Sequence, residues 1–135
     1  MSTNIRSEIS KKGRYYVSKE RYYELKHFCL QYREWLTELE ETGYLLEIET
    51  KEVHSTDIAK PVEIIVERRG RLINRINILN EAVKELNDPI GCFIFDSVTT
   101  GRAFPYYEAN ELVFGRDYWY DRYRKFFYIL DRIRE

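Results

Sequence analysis

A chain of 135 residues has the usual size of one domain, and 44% hydrophobic residues are enough for one buried core. The net charge of -1 excludes a globally basic nucleic-acid binder, so any such binding must rest on local patches. The apolar runs are much shorter than the roughly 18 residues of a membrane span. We therefore expect one domain over residues 1–135, without membrane contact, and the helical spacing of apolar residues along the chain predicts that this domain is all-α.

The N-terminal residues, the cysteines and the histidines bear on the location of the protein and on metal binding. Residues 1–14 form a basic lead that we expect to be flexible, and they lack the apolar run of a secretory signal. The protein is therefore expected in the cytoplasm, where Cys29 and Cys92, each in an apolar neighbourhood, should be unpaired and buried. His27 with Cys29 is the only close pair of metal-ligand types, so we predict no metal site and no cofactor.

The first predicted helix starts at Ser18, a suitable N-cap, and stops at Gly43. Residues 44–60 hold neither helical nor strand periodicity for long, and we interpret them as a linker, with a short strand or turn left open. The helix is indicated by apolar residues at separations of three and four, on one face: Tyr22, Leu25, Phe28, Cys29, Tyr32, Trp35, Leu36 and Leu39.

A second helix is predicted after a cap at Thr56 or Asp57, with Pro61 in its first turn. It should be the longest element and lie within Asp57 to Asp88. Gly70 interrupts its apolar stripe at a cost of about 1 kcal/mol relative to alanine, which indicates a kink or a close helix crossing.

The last part, residues 89–135, is predicted to form a helix-turn-helix-like unit. Asp88 is expected to cap its first helix, with Pro89 in the first position and Gly101 as its end. A short helix from Phe104 to Leu112 and a tight turn should follow. Asp117 is then expected to cap the last helix, whose buried stripe is Trp119, Tyr123, Phe126, Leu130 and Ile133.

The outer face of that last helix carries the candidate binding residues. Arginine and lysine bind phosphates or guanine edges, and tyrosine hydroxyls contact phosphates. Double-stranded DNA is therefore the expected partner. The predicted nucleic-acid contacts are Arg116, Tyr118, Tyr120, Asp121, Arg122, Arg124 and Lys125.

A protein-binding module has equal support from the pattern alone, because any surface helix shows a charged outer face. Residues 27–60 hold three Lys or Arg against eight Asp or Glu. Such an acidic surface can imitate a phosphate backbone, as in an inhibitor that blocks a bacterial protein.

The sequence has no motif that indicates catalysis. It contains no glycine-rich phosphate loop, no Gly-x-Ser-x-Gly and no His-Glu-x-x-His, so we expect that the protein is not an enzyme.

Three stretches carry a resemblance to known proteins: residues 23–32 with Trp35, residues 97–101, and residues 114–127. The chain resembles a family of small prophage proteins of Gram-positive bacteria. In layout it is similar to the RinA/ArpU type of phage late-gene regulator, which has a C-terminal helix-turn-helix like that of sigma factor region 4. The resemblance implies a transcription regulator in the bacterial host cytoplasm, with RNA polymerase or a second copy of the chain as further partners left open. The last helix departs from that type by being strongly aromatic, which favours a protein-facing surface.

Overall fold

The computed structural model describes residues 13–51, 59–110 and 113–135, and every regular element in these ranges is a helix. The protein is therefore all-α, as predicted. The longest helix has 28 residues and lies within Asp57 to Asp88, which confirms that prediction. None of the helices in the described ranges is long and apolar enough to cross a membrane. The helices are α1 (Lys19–Leu30), α2 (Tyr32–Lys51), α3 (Ala59–Leu86), α4 (Gly91–Thr100), α5 (Phe104–Ala109) and α6 (Arg116–Ile133).

Two predicted helix ends are confirmed by backbone geometry. The Ser18 hydroxyl accepts a hydrogen bond from the Arg21 amide at 3.4 Å and caps α1. Gly101 ends α4 with a φ of 84°, a left-handed conformation in which only glycine avoids a steric penalty.

The predicted linker after Gly43 is wrong over residues 44–51. The first predicted helix breaks at Gln31, and α2 then continues through Gly43 to Lys51. Glutamate and leucine dominate this stretch, and their helix propensities outweigh the cost of about 1 kcal/mol for one glycine. The predicted caps Thr56 and Asp57 lie outside the described residues.

The predicted caps of the last two long helices are displaced by two residues. Asp88 accepts a hydrogen bond from the Ile90 amide at 3.1 Å, but α4 begins at Gly91 and Pro89 lies in the preceding turn. Helix α6 follows Gly115, so Asp117 lies inside its first turn instead of capping it. Its carboxylate remains favourable there because the helix dipole stabilises negative charge at an N-terminus.

The chain divides into two compact units, and the first comprises residues 1–31 and 78–135. In it, α1, α4 and α6 pack against one another around an aromatic core. The Tyr22 and Phe127 rings meet edge to face with centroids 5.1 Å apart, and the Tyr22 and Tyr123 hydroxyls share a hydrogen bond of 3.1 Å. The largest fully buried side chains of this unit are Trp119, Tyr22, Phe126, Phe127, Leu25, Leu79, Leu86, Ile90, Ile94 and Leu130.

The cysteines of this unit behave differently from each other. Both are free thiols, as predicted. Cys29 is buried, and burial raises the pKa of its thiol. Cys92 is exposed, so the prediction of its burial is wrong: Ile90, Ile94 and Val98 form the buried stripe of that region, and Cys92 lies off it.

The second unit comprises residues 32–77 and contains α2 with the first part of α3. Arg68 forms an ion pair with Glu38 at 3.2 Å, whereas Arg75 lies over the Trp35 ring at 6.0 Å. Later residues of α3 therefore meet earlier residues of α2, which makes the pair an antiparallel helical hairpin. Beside the ion pair, Arg69 donates to the Leu39 carbonyl at 2.5 Å and to the Thr42 hydroxyl at 3.2 Å.

Candidate nucleic-acid interface

The short helix α5 is fixed to α6 by aromatic packing. Trp119 of α6 is 1% exposed, and it stacks on Tyr107 at 4.9 Å and meets Phe104 at 5.6 Å, both from α5. The Tyr107 hydroxyl also donates to Asp96 of α4 at 2.5 Å. Burial, together with this hydrogen bond, raises the pKa of Tyr107. The three helices α4, α5 and α6 are thus joined by buried contacts, which gives α6 a defined position.

The beginning of α6 is open to solvent. Gly115 precedes it in an extended conformation, and no side chain caps the helix. Arg116 and Asp117 are exposed, and Phe114 stacks on Tyr118 with centroids 5.2 Å apart. The first backbone amides of a helix have no partner within the helix, so this end can donate hydrogen bonds to an anionic ligand.

Three of the predicted contact residues are instead gathered around Asp88, whose side chain is 7% exposed. We call Asp88, Tyr118, Asp121 and Arg122 the Asp88 cluster. The Tyr118 hydroxyl donates to Asp88 at 2.6 Å, and Arg122 lies 3.6 Å from the same carboxylate oxygen. Arg122 also donates to Asp121 through two of its nitrogens. Two carboxylates therefore surround one guanidinium.

The charges of the Asp88 cluster determine what it can bind. Partial burial by itself lowers the pKa of Arg122, but the hydrogen bond and charge of Asp121 prevail and hold that pKa above its usual value. The hydrogen bond to Asp88, more than burial, raises the pKa of Tyr118. The carboxylates of Asp88 and Asp121 already compensate the positive charge of Arg122. The Asp88 cluster is therefore poorly suited to bind a phosphate.

The other four predicted residues have separate environments. Arg116 is exposed, with its guanidinium 5.4 Å from the centroid of the Tyr120 ring. Tyr120, predicted as a contact residue of the outer face, lies in the core instead, since it is 9% exposed and packs near Phe104 at 6.1 Å. Arg124 and Lys125 are half-buried on the side of α6 away from the buried stripe.

Two further residues belong to this outer face and escaped the sequence interpretation. Tyr128 follows Lys125 by three residues, and Arg132 follows Tyr128 by four. This helical spacing could have identified both residues from the sequence. The Tyr15 ring lies 5.7 Å from Tyr128, so the segment before α1 covers part of the second half of α6. Nothing in the local sequence indicates that contact, because the two residues are far apart in the chain.

Arg102 adds a cation beside α5. Its guanidinium lies 4.6 Å over the Tyr106 ring and 3.2 Å from the Asp96 carboxylate, and its side chain is 44% exposed. It was not singled out from the sequence, because its position between α4 and α5 becomes visible only when both helices are placed.

A small cleft of about 190 Å³ lies in the first unit, between α1 and the helices α4 to α6. Its wall includes Lys26, Ser97 and Trp119. Ser97 donates to the Arg102 carbonyl at 2.5 Å, so that hydroxyl is already engaged. Within the described residues, no group of three His, Cys, Asp or Glu side chains is placed to hold a metal ion.

Comparison with known proteins gives no assignment: no family model, no curated protein and no solved structure matches the chain.

Proposed function

We propose that this protein binds double-stranded DNA, with α5 and α6 acting as a helix-turn-helix and the first turns of α6 facing the major groove. The observation that carries the proposal is the combination of a fixed α5–α6 pair, held through Trp119, with an open N-terminal end of α6. Helix-turn-helix proteins read base edges mainly with the N-terminal residues of the second helix, and this is the end left open.

Within this proposal the residues have different roles. Arg116, with its exposed guanidinium, is the candidate for a base edge or for the phosphates at the start of the helix. Lys125 and Arg124 supply phosphate contacts around it. Arg122 is not a DNA contact in this scheme. It holds the start of α6 in place through Asp88.

The biological role extends the same proposal. The resemblance to RinA/ArpU regulators supports a phage transcription regulator that acts by binding and not by catalysis, in the cytoplasm of its bacterial host. RNA polymerase is a further candidate partner, because such regulators act at promoters. These assignments rest on the resemblance and on the α5–α6 geometry together.

The alternative, an inhibitor that uses an acidic surface, receives less support. Glu38 of α2 pairs with Arg68, and two further exposed arginines, Arg71 and Arg75, belong to the same part of α3. Basic groups beside the glutamates reduce the negative potential that a phosphate mimic needs.

The proposal can be tested by measuring fluorescence anisotropy of labelled duplexes taken from the gene's own neighbourhood. Replacing Arg116 and Lys125 together with alanine should weaken binding at low salt by about tenfold or more, since each lost cation removes a phosphate or base contact. The charge-matched control replaces Lys19 and Lys84, two exposed cations of α1 and α3, and should stay within about twofold of the parent. Equal loss in both variants, or no binding by the parent, would overturn the proposal in favour of a protein partner.

A further inference from the structure

The helical hairpin of the second unit has a side on which acidic and basic residues form two separate rows. On α2, Glu34, Glu38 and Glu41 recur at separations of four and three residues, which places them along one side of the helix. On α3, Arg68, Arg71 and Arg75 recur at separations of three and four. The ion pair between Glu38 and Arg68 puts both rows on the same side of the hairpin.

Each row continues into an exposed apolar residue at the same end of the hairpin. Leu45 follows Glu41 by four residues and is 46% exposed, and Ile64 precedes Arg68 by four and is 58% exposed. Because α2 and α3 are antiparallel, the end of the acidic row and the start of the basic row lie at the same level. The two side chains therefore share one end of this charged side.

We propose that this side is a docking surface for a second copy of the same chain, which forms a two-fold symmetric four-helix bundle. A two-fold axis parallel to the helices lays α2 of one copy over α3 of the other. The acidic row of each copy then faces the basic row of its partner, and the exposed apolar residues of one copy meet those of the other. Charge complementarity thus selects this arrangement over one that places like rows together.

The arrangement predicts particular neighbours across the axis. Within one copy, Arg75 lies next to Trp35, so its level is that of Glu34 at the start of the acidic row. In the dimer, Glu34 of each copy faces Arg75 of the other. At the opposite end, Leu45 faces Ile64. Both charged side chains are exposed in the single chain, so each can reach the partner copy.

The extent of the surface sets the expected affinity. The row from Glu34 to Leu45 spans about 17 Å at 1.5 Å per residue, so the interface is small for a protein dimer. We therefore expect a reversible dimer with a dissociation constant in the micromolar range. This inference does not rest on the proposed DNA binding, because it concerns only the hairpin and is tested without DNA.

The experiment is sedimentation equilibrium on the full chain and on two charge reversals, Glu34→Arg and Arg75→Glu. Each reversal alone creates two like-charge contacts per dimer and should weaken dimerisation by about tenfold or more. An equimolar mixture restores opposite charges at both contacts, so heterodimers should form with nearly the affinity of the parent. Glu40→Arg, a reversal of an exposed residue outside the row, is the matched control and should leave the dissociation constant within about twofold.

Restoration in the mixture supports the docking surface and shows at the same time that both variants are folded. Leu45→Asp provides an independent check, since it buries a carboxylate opposite Ile64 and should also favour the monomer. A parent chain that stays monomeric at about 1 mM, far above a micromolar constant, would overturn the proposal. So would a mixture that dimerises no better than its two components.

Discussion

The two units of the chain are stabilised in different ways. The first encloses a set of aromatic rings, in which Trp119, Phe126 and Phe127 are almost completely buried. The second is a two-helix hairpin in which polar contacts of Arg68 and Arg69 join α2 to α3. It leaves large apolar side chains such as Ile64 and Val66 more than half exposed. A two-helix element has too little interior to bury both of its apolar faces.

This difference separates two tasks. Contacts between packed rings fix side-chain positions closely, and a binding surface requires such fixed geometry. The α5–α6 pair of the first unit has it. The hairpin instead presents charged rows and isolated apolar residues, which are suited to weak and reversible association.

The largest expected effect is on the aromatic core. Phe126→Ala removes a fully buried ring and should lower the free energy of unfolding by about 3 to 5 kcal/mol. Tyr128→Ala, on the half-buried side of the same helix, should cost much less. Chemical denaturation followed by circular dichroism compares the two variants. Equal losses would contradict the assignment of the core.

A smaller effect is expected at the Asp88 cluster. Arg122→Ala leaves the nearly buried Asp88 without its cation and should lower the free energy of unfolding by about 2 to 3 kcal/mol. Lys125→Ala should change it by less than about 0.5 kcal/mol. Under conditions where both variants remain folded, Lys125→Ala should lower the salt dependence of DNA binding, whereas Arg122→Ala removes no phosphate contact and should leave that salt dependence unchanged. If Arg122→Ala lowered the salt dependence and Lys125→Ala did not, Arg122 would be a DNA contact on the outer face of α6.

The hairpin should respond to the loss of Arg69. Arg69→Ala removes two hydrogen bonds to α2 and should cost about 1 to 2 kcal/mol. Lys60→Ala changes an exposed cation of the same helix and should stay within about 0.5 kcal/mol. If thermal unfolding gives the same stability for both, polar contacts do not hold the hairpin together.

The smallest effects distinguish one glycine in each unit. Gly70 lies inside α3 with free space around it, so Gly70→Ala should stabilise the hairpin by about 0.5 to 1 kcal/mol. Gly101 has a positive φ, and Gly101→Ala should destabilise the first unit by about 1 to 2 kcal/mol. Differential scanning calorimetry should show shifts of the melting temperature of opposite sign. Shifts of the same sign would contradict either the helical position of Gly70 or the left-handed helix end at Gly101.

The sequence predicts most of the helices because their apolar spacing persists over several turns. It predicts Ser18 and Gly101 correctly because each acts through local chemistry, a side-chain cap and a left-handed backbone. It is wrong after Gly43, where helix propensity continues although the apolar stripe becomes irregular. Weak periodicity therefore does not establish a linker.

The candidate site is less predictable because its charges are paired over long distances in sequence. The outer face of α6 was identified from spacing, but the partner that draws Arg122 inward is Asp88, in the turn before α4. The contact of Tyr15 with Tyr128 spans nearly the whole chain. Local pattern cannot show which surface cations are already neutralised, and that decides which of them can bind DNA.

The most direct test of the central claim is the salt dependence of DNA binding. In a plot of log affinity against log salt concentration, the slope counts the cations that replace counterions on the duplex. Replacing Arg116 and Lys125 with alanine should reduce the slope by about two units if both contact phosphates, whereas Arg122→Ala should leave it unchanged. An unchanged slope in the double variant, or no measurable DNA binding by the parent at low salt, would contradict the claim that α6 is the DNA-binding helix.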